Sequence, residues 1–183
     1  MVAPGGEGFE TFSVERTNRL AHAAALTVAE RPKRAYNPLL ILGPADSGKS
    51  HLLAAITGHL AVHHPRLTVR LLTGTDVTSV DRQPGKKLRP RWLVEDRVAD
   101  VLLIDDIDAE VERRIADVLG AQIWRLTRHN RHQVVMTART MDYGARSAFL
   151  MSTDLARALV VRIGSTRPVA VQTRGRVYRT KIG

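Results

Sequence analysis

The stretch LLILGPADSGKSHLLAAI, residues 39 to 56, places Gly43, a run of four residues, then Gly48, Lys49 and Ser50 between an apolar segment and a helix-forming one. This spacing fits a phosphate-binding loop. Glycines let the backbone turn its N–H groups inward, so that several amides and the positive end of the next helix converge on one anion. Lys49 would reach the outer phosphates of a polyphosphate, and the Ser50 hydroxyl would help hold a magnesium ion. Gly43, Pro44, Ala45, Asp46, Ser47, Gly48, Lys49, Ser50 and His51 are therefore the candidate nucleotide contacts. Asp46 stands at a variable position, where its side chain can point outward while its amide faces the phosphate; its charge should weaken anion affinity modestly. The competing interpretation is an ordinary strand-to-helix turn carrying an exposed lysine.

A second constellation, DVLLIDDID at 100 to 108, ends an aliphatic run in consecutive carboxylates. Ligands of open α/β sheets collect at the C-terminal ends of strands, and the four aliphatics before the acids argue against a surface turn. Asp105 would orient magnesium through water, Asp106 would polarise an attacking water, and Asp108 would cap the following helix.

These side chains need a scaffold. Strands are expected at 38–43, 67–73, 101–106, 133–138 and 168–172, each short and aliphatic or β-branched on both faces, as in a covered parallel sheet. Helices are expected at 17–30, 50–64, about 109–129 and about 153–162. Strand alternating with helix implies right-handed crossovers, hence an α/β fold with helices on both faces. Thr17 is available to cap the first helix, and AHAAALTVAE gives that helix a small-residue face for close packing on the sheet. His22 on that face is expected to be packed and hydrogen-bonded, not a ligand, while His63 and His64 complement the dipole at the end of the next helix. The histidines form no metal-binding constellation, and no internal repeat is evident.

A chain of 183 residues suits one domain with a single core, built mostly from Leu, Val, Ile and Ala because aromatic content is only 4%. No cysteine is present, which excludes disulfides and thiolate metal sites. No apolar run is long enough to span a bilayer and MVAPGGEG lacks the character of a signal peptide, so a soluble cytoplasmic protein with no membrane partner is expected. The formal charge is +10, Lys and Arg outnumbering Asp and Glu 28 to 18. The excess gathers in RQPGKKLRPR (82 to 91), RLTRHNRH (125 to 132) and the tail, which favours polyanionic partners through counterion release. Arg82, Lys86, Lys87, Arg89 and Arg91 are the candidate nucleic-acid contacts, with a solvated basic loop as the alternative. Pro84, Gly85 and Pro90 argue against a continuous helix there.

With these motifs on the page, the sequence resembles the AAA+ ATPase module of the bacterial replication initiator DnaA and its regulatory relatives. The matching stretches are FETFSVERTNRLAHAAALTVAE, AYNPLLILG, the phosphate loop with HLLAAI, and DVLLIDDI. The resemblance implies a three-layer P-loop NTPase of AAA+ type whose five-stranded parallel sheet runs in the order 5-1-4-3-2. It implies ATP and Mg2+ as cofactors, and an N-terminal segment wrapping the adenine. Phe12, Val14 and Asn18 stand where the family forms its base pocket; simple packing of the arm is the alternative for each.

The stretch LVVRIGSTRPVAV (159 to 171) resembles the segment bearing the family's arginine finger, which places Arg162 there, with Arg157 as the fallback. A finger acts on a neighbour's ATP, so it implies head-to-tail self-association or pairing with another AAA+ protein. In place of the family's small polar or acidic sensor, this chain reads MTARTMD, with Arg139 at the acidic position and Thr137 still able to orient water. Residues 82 to 91 fall where the family contacts single-stranded DNA.

Only residues 172 to 183 follow Val171, so the lid subdomain with its second sensor arginine, and the DNA-binding helix-turn-helix domain, are expected to be absent. The expected organisation is a flexible start at 1–8, the AAA+ core at 9–172 and a basic tail at 173–183. The function implied is an ATP-binding core in replication initiation or its regulation, with weak or partner-dependent hydrolysis. A helicase-loader or transposition-helper ATPase, or a non-hydrolysing scaffold, are the alternatives.

Overall fold

In the computed structural model the described residues are 7–81, 89–90, 92, 98–107, 122–123, 125–128, 131–139, 158–164, 171–173 and 176–178. Along the chain they form α1 (Arg19–Glu30), β1 (Leu39–Gly43), α2 (Lys49–His63), β2 (Val69–Thr73), the short α3 (Gly74–Thr78), β3 (Val80–Asp81), β4 (Arg89–Pro90), β5 (Val101–Ile107), β6 (Gln133–Arg139), β7 (Leu159–Arg162), β8 (Val171–Thr173) and β9 (Arg176–Tyr178). Five strands make one sheet in the order β2-β5-β6-β1-β7, with every adjacent pair parallel. Numbered by position in the main sheet this is 2-3-4-1-5, the order expected.

Alternation along the strands divides the core. Leu39, Ile41, Val101, Leu103 and Val135 face one cluster with α1, α2 and Phe12. Leu40, Leu42, Leu102, Ile104, Val134 and Met136 face another that includes Trp92, Ile123 and Leu126. Side chains of period two on a sheet covered on both sides account for the wholly buried run of β1. The small-residue face of α1 (Ala21, Ala24, Ala25, Val28, Ala29) is buried, and the same cluster contains α2 side chains as well as β1.

Three expectations are corrected. The fifth strand is Leu159–Arg162, within the segment expected to be helical at 153–162. Its Leu-Val-Val run is compatible with either period, and its place beside β1 decides between them. Residues 171 and 172, the described part of the strand expected at 168–172, do not supply the fifth strand. Val171–Thr173 instead pairs antiparallel with Arg176–Tyr178 in a separate two-stranded sheet, which straddles the expected core-to-tail boundary, while 168–170 lie outside the described residues. Asn18, not Thr17, occupies the N-cap position of α1; its side chain is committed to the preceding turn, accepting from Glu15 N at 2.7 Å and donating to Ser13 O at 2.9 Å. The expected helix 109–129 is described only near its end, where 122–123 and 125–127 are helical.

At the N-terminal edge of the sheet a polar clamp fixes the strands that carry the site. Lys33 Nζ binds Asp100 Oδ1 at 2.5 Å, and Asp100 Oδ2 also accepts from Thr68 N at 3.0 Å and Thr68 Oγ1 at 2.9 Å. These bonds hold the Asp100 carboxyl well below its usual 3.8, at about 2, led by the hydrogen bond from Lys33. Asn37 and the fully buried Gln133 complete the clamp: Asn37 donates to His132 O and accepts from Val134 N, and Gln133 Oε1 accepts from Lys33 N.

Candidate nucleotide-binding site

The loop leaves β1 at Gly43 and enters α2 at Lys49. Gly48, at the N-cap of α2, has φ +89°, and a Cβ there would lie 2.9 Å from Phe12 Cε2. At Gly43 a Cβ would lie 2.5 Å from Ser47 Oγ. Glycine is thus required at Gly48 by conformation and by the approach of the Phe12 ring, while a Cβ at Gly43 would make the Ser47 hydroxyl turn aside and would lie 3.2 Å from Ile163 Cβ. Asp46 also takes a left-handed φ of +54° and is exposed, in keeping with an outward side chain. Pro44 and Ala45 are exposed at the tip, and Ser47 Oγ donates to Pro44 O at 2.9 Å.

Lys49 is only 6% exposed, and its ammonium lies inside the loop, donating to Gly43 O at 3.1 Å and Pro44 O at 2.5 Å. Burial pushes this amine below its ordinary 10.5, while the carboxylates of Asp106, Asp105 and Asp46 oppose that shift and Arg139 adds to it. A buried cation within the field of three acids, held by two loop carbonyls, is not the exposed lysine of an ordinary turn.

The acids at the end of β5 sit on a β-bulge. Ile104 pairs with Met136 and Ile107 with Ala138, so β5 takes one residue more than β6 across this span, and Asp106 adopts φ +52°. Thr137 Oγ1 donates to Asp105 Oδ1 at 2.5 Å and accepts Asp106 N–H at 2.8 Å. Arg139 binds Asp106 with both arms of its fork, Nε at 3.0 Å from Oδ1 and Nη2 at 2.7 Å from Oδ2. Thr137 and Arg139 are two apart on β6 and share a face, so adjacent acids that a regular strand would send to opposite faces are gathered on one. Arg139 is also the register partner of Gly43, which brings the bulge beside the loop.

Residues of the expected base pocket part company. Phe12 is buried against Gly48, stacked on His22 at 5.5 Å and edge-on to His51 at 5.2 Å. Val14 is 52% exposed, and Asn18 is occupied by the turn before α1. His51 binds the arm, its Nε2 lying 2.9 Å from Gly8 O, so the expected flexible start is anchored at its last residue. His22 is packed as expected between Phe9 and Phe12, but its Nε2 is buried without a hydrogen-bond partner among the described residues.

Arg162 lies in β7 beside Leu42 and not at a helix end; it is half-buried, with Nε enclosed and lacking a partner among the described residues. The backbone beyond it closes on the loop: Ile163 N donates to Leu42 O at 2.7 Å, and a Cβ on Gly164 would lie 3.5 Å from Pro44 Cδ. Arg157, Arg82, Lys86, Lys87 and Arg91 lie outside the described residues, while Arg89 belongs to β4, paired with β3.

The donors suit the expected ligands. Ser50, exposed in the first turn of α2, and Asp105 are hard oxygen donors of the kind magnesium accepts while keeping several waters. No group of three His, Cys, Asp or Glu side chains among the described residues could hold a metal by itself, so a cation here would rely on phosphate oxygens as well. Among the described residues no helix is long and apolar enough to cross a membrane.

Known proteins resemble this chain in sequence and in fold. The family described as the bacterial DnaA ATPase domain matches residues 6–143. The chromosomal replication initiator protein DnaA of Clavibacter sepedonicus is 43% identical over 106 residues, covering 55% of this chain and 21% of that protein. The same protein of Limosilactobacillus reuteri is 34% identical over 135 residues, covering 71% of this chain and 30% of that protein. The chain thus spans about a fifth to a third of the length of these relatives. Among solved structures, domain III of Thermotoga maritima DnaA superposes with a TM-score of 0.62 at 26% identity, covering 89% of this chain and 69% of that one. A replication initiator DnaA bound to AMPPCP and single-stranded DNA gives 0.59 at 19% identity, covering 92% and 51%. The DnaC helicase loader gives 0.60 at 13% identity, covering 86% and 96%, a likeness of fold alone.

Proposed function

The chain belongs to the bacterial DnaA ATPase domain family, and on that premise we propose that it is an ATP-binding AAA+ core acting in the cytoplasm in DNA replication initiation or its regulation, with weak or partner-dependent hydrolysis. The observation that carries this reading is the Lys49 ammonium, buried within the glycine-bounded loop and facing the acids of the β5 bulge. In the proposed complex the loop amides and Lys49 bind the phosphates of ATP or ADP, and Phe12, Val14 and Asn18 border the base. His51 supports that border through Gly8. Ser50 and Asp105 would hold Mg2+, which would supply charge neutralisation at the phosphates. Asp106 accepts a proton from the attacking water, and Thr137 orients both acids.

The trans-acting arginine is assigned to the segment containing Arg157 and Arg162, so that hydrolysis depends on a second AAA+ subunit, of this chain or another. Alanine variants of each, assayed at high protein concentration, separate the two. The basic segment 82 to 91 is assigned to single-stranded DNA, the ligand present in the related initiator structure. Neutralising Arg82, Lys86, Lys87, Arg89 and Arg91 together should then weaken single-stranded DNA binding and flatten its salt dependence; unchanged affinity and slope would return the segment to solvated surface.

Turnover tests the reading as a whole. ATP hydrolysis should rise above background with protein concentration or added single-stranded DNA, and Asp106→Asn should remove it while ATP still binds. Hydrolysis at background under all these conditions, with binding retained, would favour the scaffold reading. The fold shared with the DnaC loader supports a second reading, helicase loading; stimulation of turnover by a replicative helicase and not by DNA would favour it.

A further inference from the structure

The loops that lead into the parallel strands gather at the edge of the sheet opposite the phosphate loop, and they carry arginines. Arg31 and Arg34 precede β1, Arg66 precedes β2, and Arg131, from the basic run 125 to 132, precedes β6. All four are exposed, and no carboxylate among the described residues pairs with any of them. The acids described at this edge are Glu30 and Asp100, and Asp100 is already taken by Lys33 and Thr68. Like charges gathered without acids to balance them repel one another, so stability does not explain the pattern. The loops are also held in fixed relation. Lys33 ties the first of them to Asp100, Asn37 ties it to His132 O at 2.6 Å, and His132 Nδ1 lies 2.9 Å from Ala99 O. Between the ends of α1 and α2 a cavity of about 760 Å3 opens, with Arg31, Arg34, Arg66, His63 and His64 in its lining.

Spacing selects the ligand. From β2 to β1 the order β2-β5-β6-β1 takes three steps, roughly 14 Å at about 4.8 Å a strand, so the arginine-bearing loops form a row. Phosphates recur about every 3.4 Å along one strand of a duplex, and the row matches about four of them. A single strand would be gripped by base stacking as well. Tyr36 is the one exposed large aromatic side chain among the described residues, which does not make a stacking platform. We propose that this arginine face is a docking surface for the phosphate backbone of duplex DNA, separate from the nucleotide site and from the segment 82 to 91. β3, which leads into that segment, follows the C-terminal end of β2, whereas the face lies at the N-terminal edge of the sheet. The inference does not depend on the ATP reading, because the face and the phosphate loop occupy opposite edges. Contacts to the backbone carry no base information, so the binding is independent of sequence.

Anisotropy titrations of two labelled duplexes of unrelated sequence, over a range of salt, test this on wild type and on the variant Arg31→Gln/Arg34→Gln/Arg66→Gln/Arg131→Gln, both shown folded by circular dichroism. The variant should lose at least about 10-fold in affinity for both duplexes at low salt, and its log–log salt slope should flatten by about 3 to 4, near 0.9 for each phosphate contact removed. The same loss is expected when 82 to 91 has already been neutralised. A loss seen only with 82 to 91 intact would mean that the face has no contact of its own, and overturns the inference. So would unchanged affinity and slope in the variant, or a larger loss on a single strand of equal length than on the duplex. Poly-glutamate and vesicles of anionic lipid serve as competitors matched in charge. Either one displacing the duplex from wild type as well as unlabelled duplex does would assign the face to acidic protein or to membrane instead, and the inference fails.

Discussion

The hydroxyl of Thr137 donates to Asp105 Oδ1 at 2.5 Å, and the same oxygen receives the N–H of Asp106 at 2.8 Å. One fully buried side chain thus fixes the direction of one acid and the backbone of the next. The arrangement explains how a bulge with a left-handed aspartate persists: its irregular N–H, which a regular ladder would have paired, finds a side-chain acceptor instead.

Thr137→Val keeps the shape of the side chain and removes both bonds. It is expected to lower stability by about 1–3 kcal/mol, because two hydrogen bonds are lost, one of them to the part-buried Asp106 N–H. Turnover should fall further than ATP affinity, since the acids lose their orientation while the loop is untouched. Chemical denaturation and steady-state ATPase assays give the two numbers. Stability equal to wild type would mean that water or backbone replaces the hydroxyl.

Gly48→Ala introduces a Cβ 2.9 Å from the Phe12 ring at a residue with φ +89°. Left-handed backbone and overlap together should cost roughly 1–3 kcal/mol, and the arm bearing Phe12 must shift. Pairing this variant with Phe12→Ala removes the overlap but not the backbone strain. A melting-temperature series should therefore show less than additive loss; strict additivity would mean that the ring does not press on the loop.

Acid stability should report the clamp below the sheet. The Asp100 carboxyl is held at about 2 against an ordinary 3.8, so its contribution is complete above that ordinary value and fades as pH falls toward and through about 2. Asp100→Asn should accordingly be less stable than wild type at neutral pH, with the gap narrowing between about pH 4 and pH 2. Denaturant midpoints for both proteins across that range provide the check. A gap that stays constant would show that the charge of Asp100 is not what Lys33 and Thr68 recognise.

Much of this site can be read from the sequence, for identifiable reasons. Gly43, Gly48, Lys49 and Ser50 announce themselves because the loop needs those residue types at that spacing, and DVLLIDD does so because apolar residues must precede acids at a buried strand end. β7 was less legible. Leu159–Arg162 is too short for periodicity to separate strand from helix, and only the open side of β1 settles it. The Arg139–Asp106 fork was hidden for a different reason. Opposite charges at the ends of neighbouring strands suggest a pair, but its register depends on the extra residue that the bulge inserts in β5, which no local propensity encodes. His51 likewise fits the loop pattern by position, while its contact with Gly8 depends on how the arm folds back.

The central claim is that the loop around Lys49 binds the phosphates of ATP, and a direct titration measures it. Wild type and Lys49→Ala, both shown folded by circular dichroism, are titrated with Mg·ATP in a calorimeter. The account predicts saturable binding by wild type and a loss of at least about 10-fold in Lys49→Ala, the least expected when a charge-assisted phosphate contact is removed. Equal affinity in the two proteins, or no binding by wild type, would contradict it.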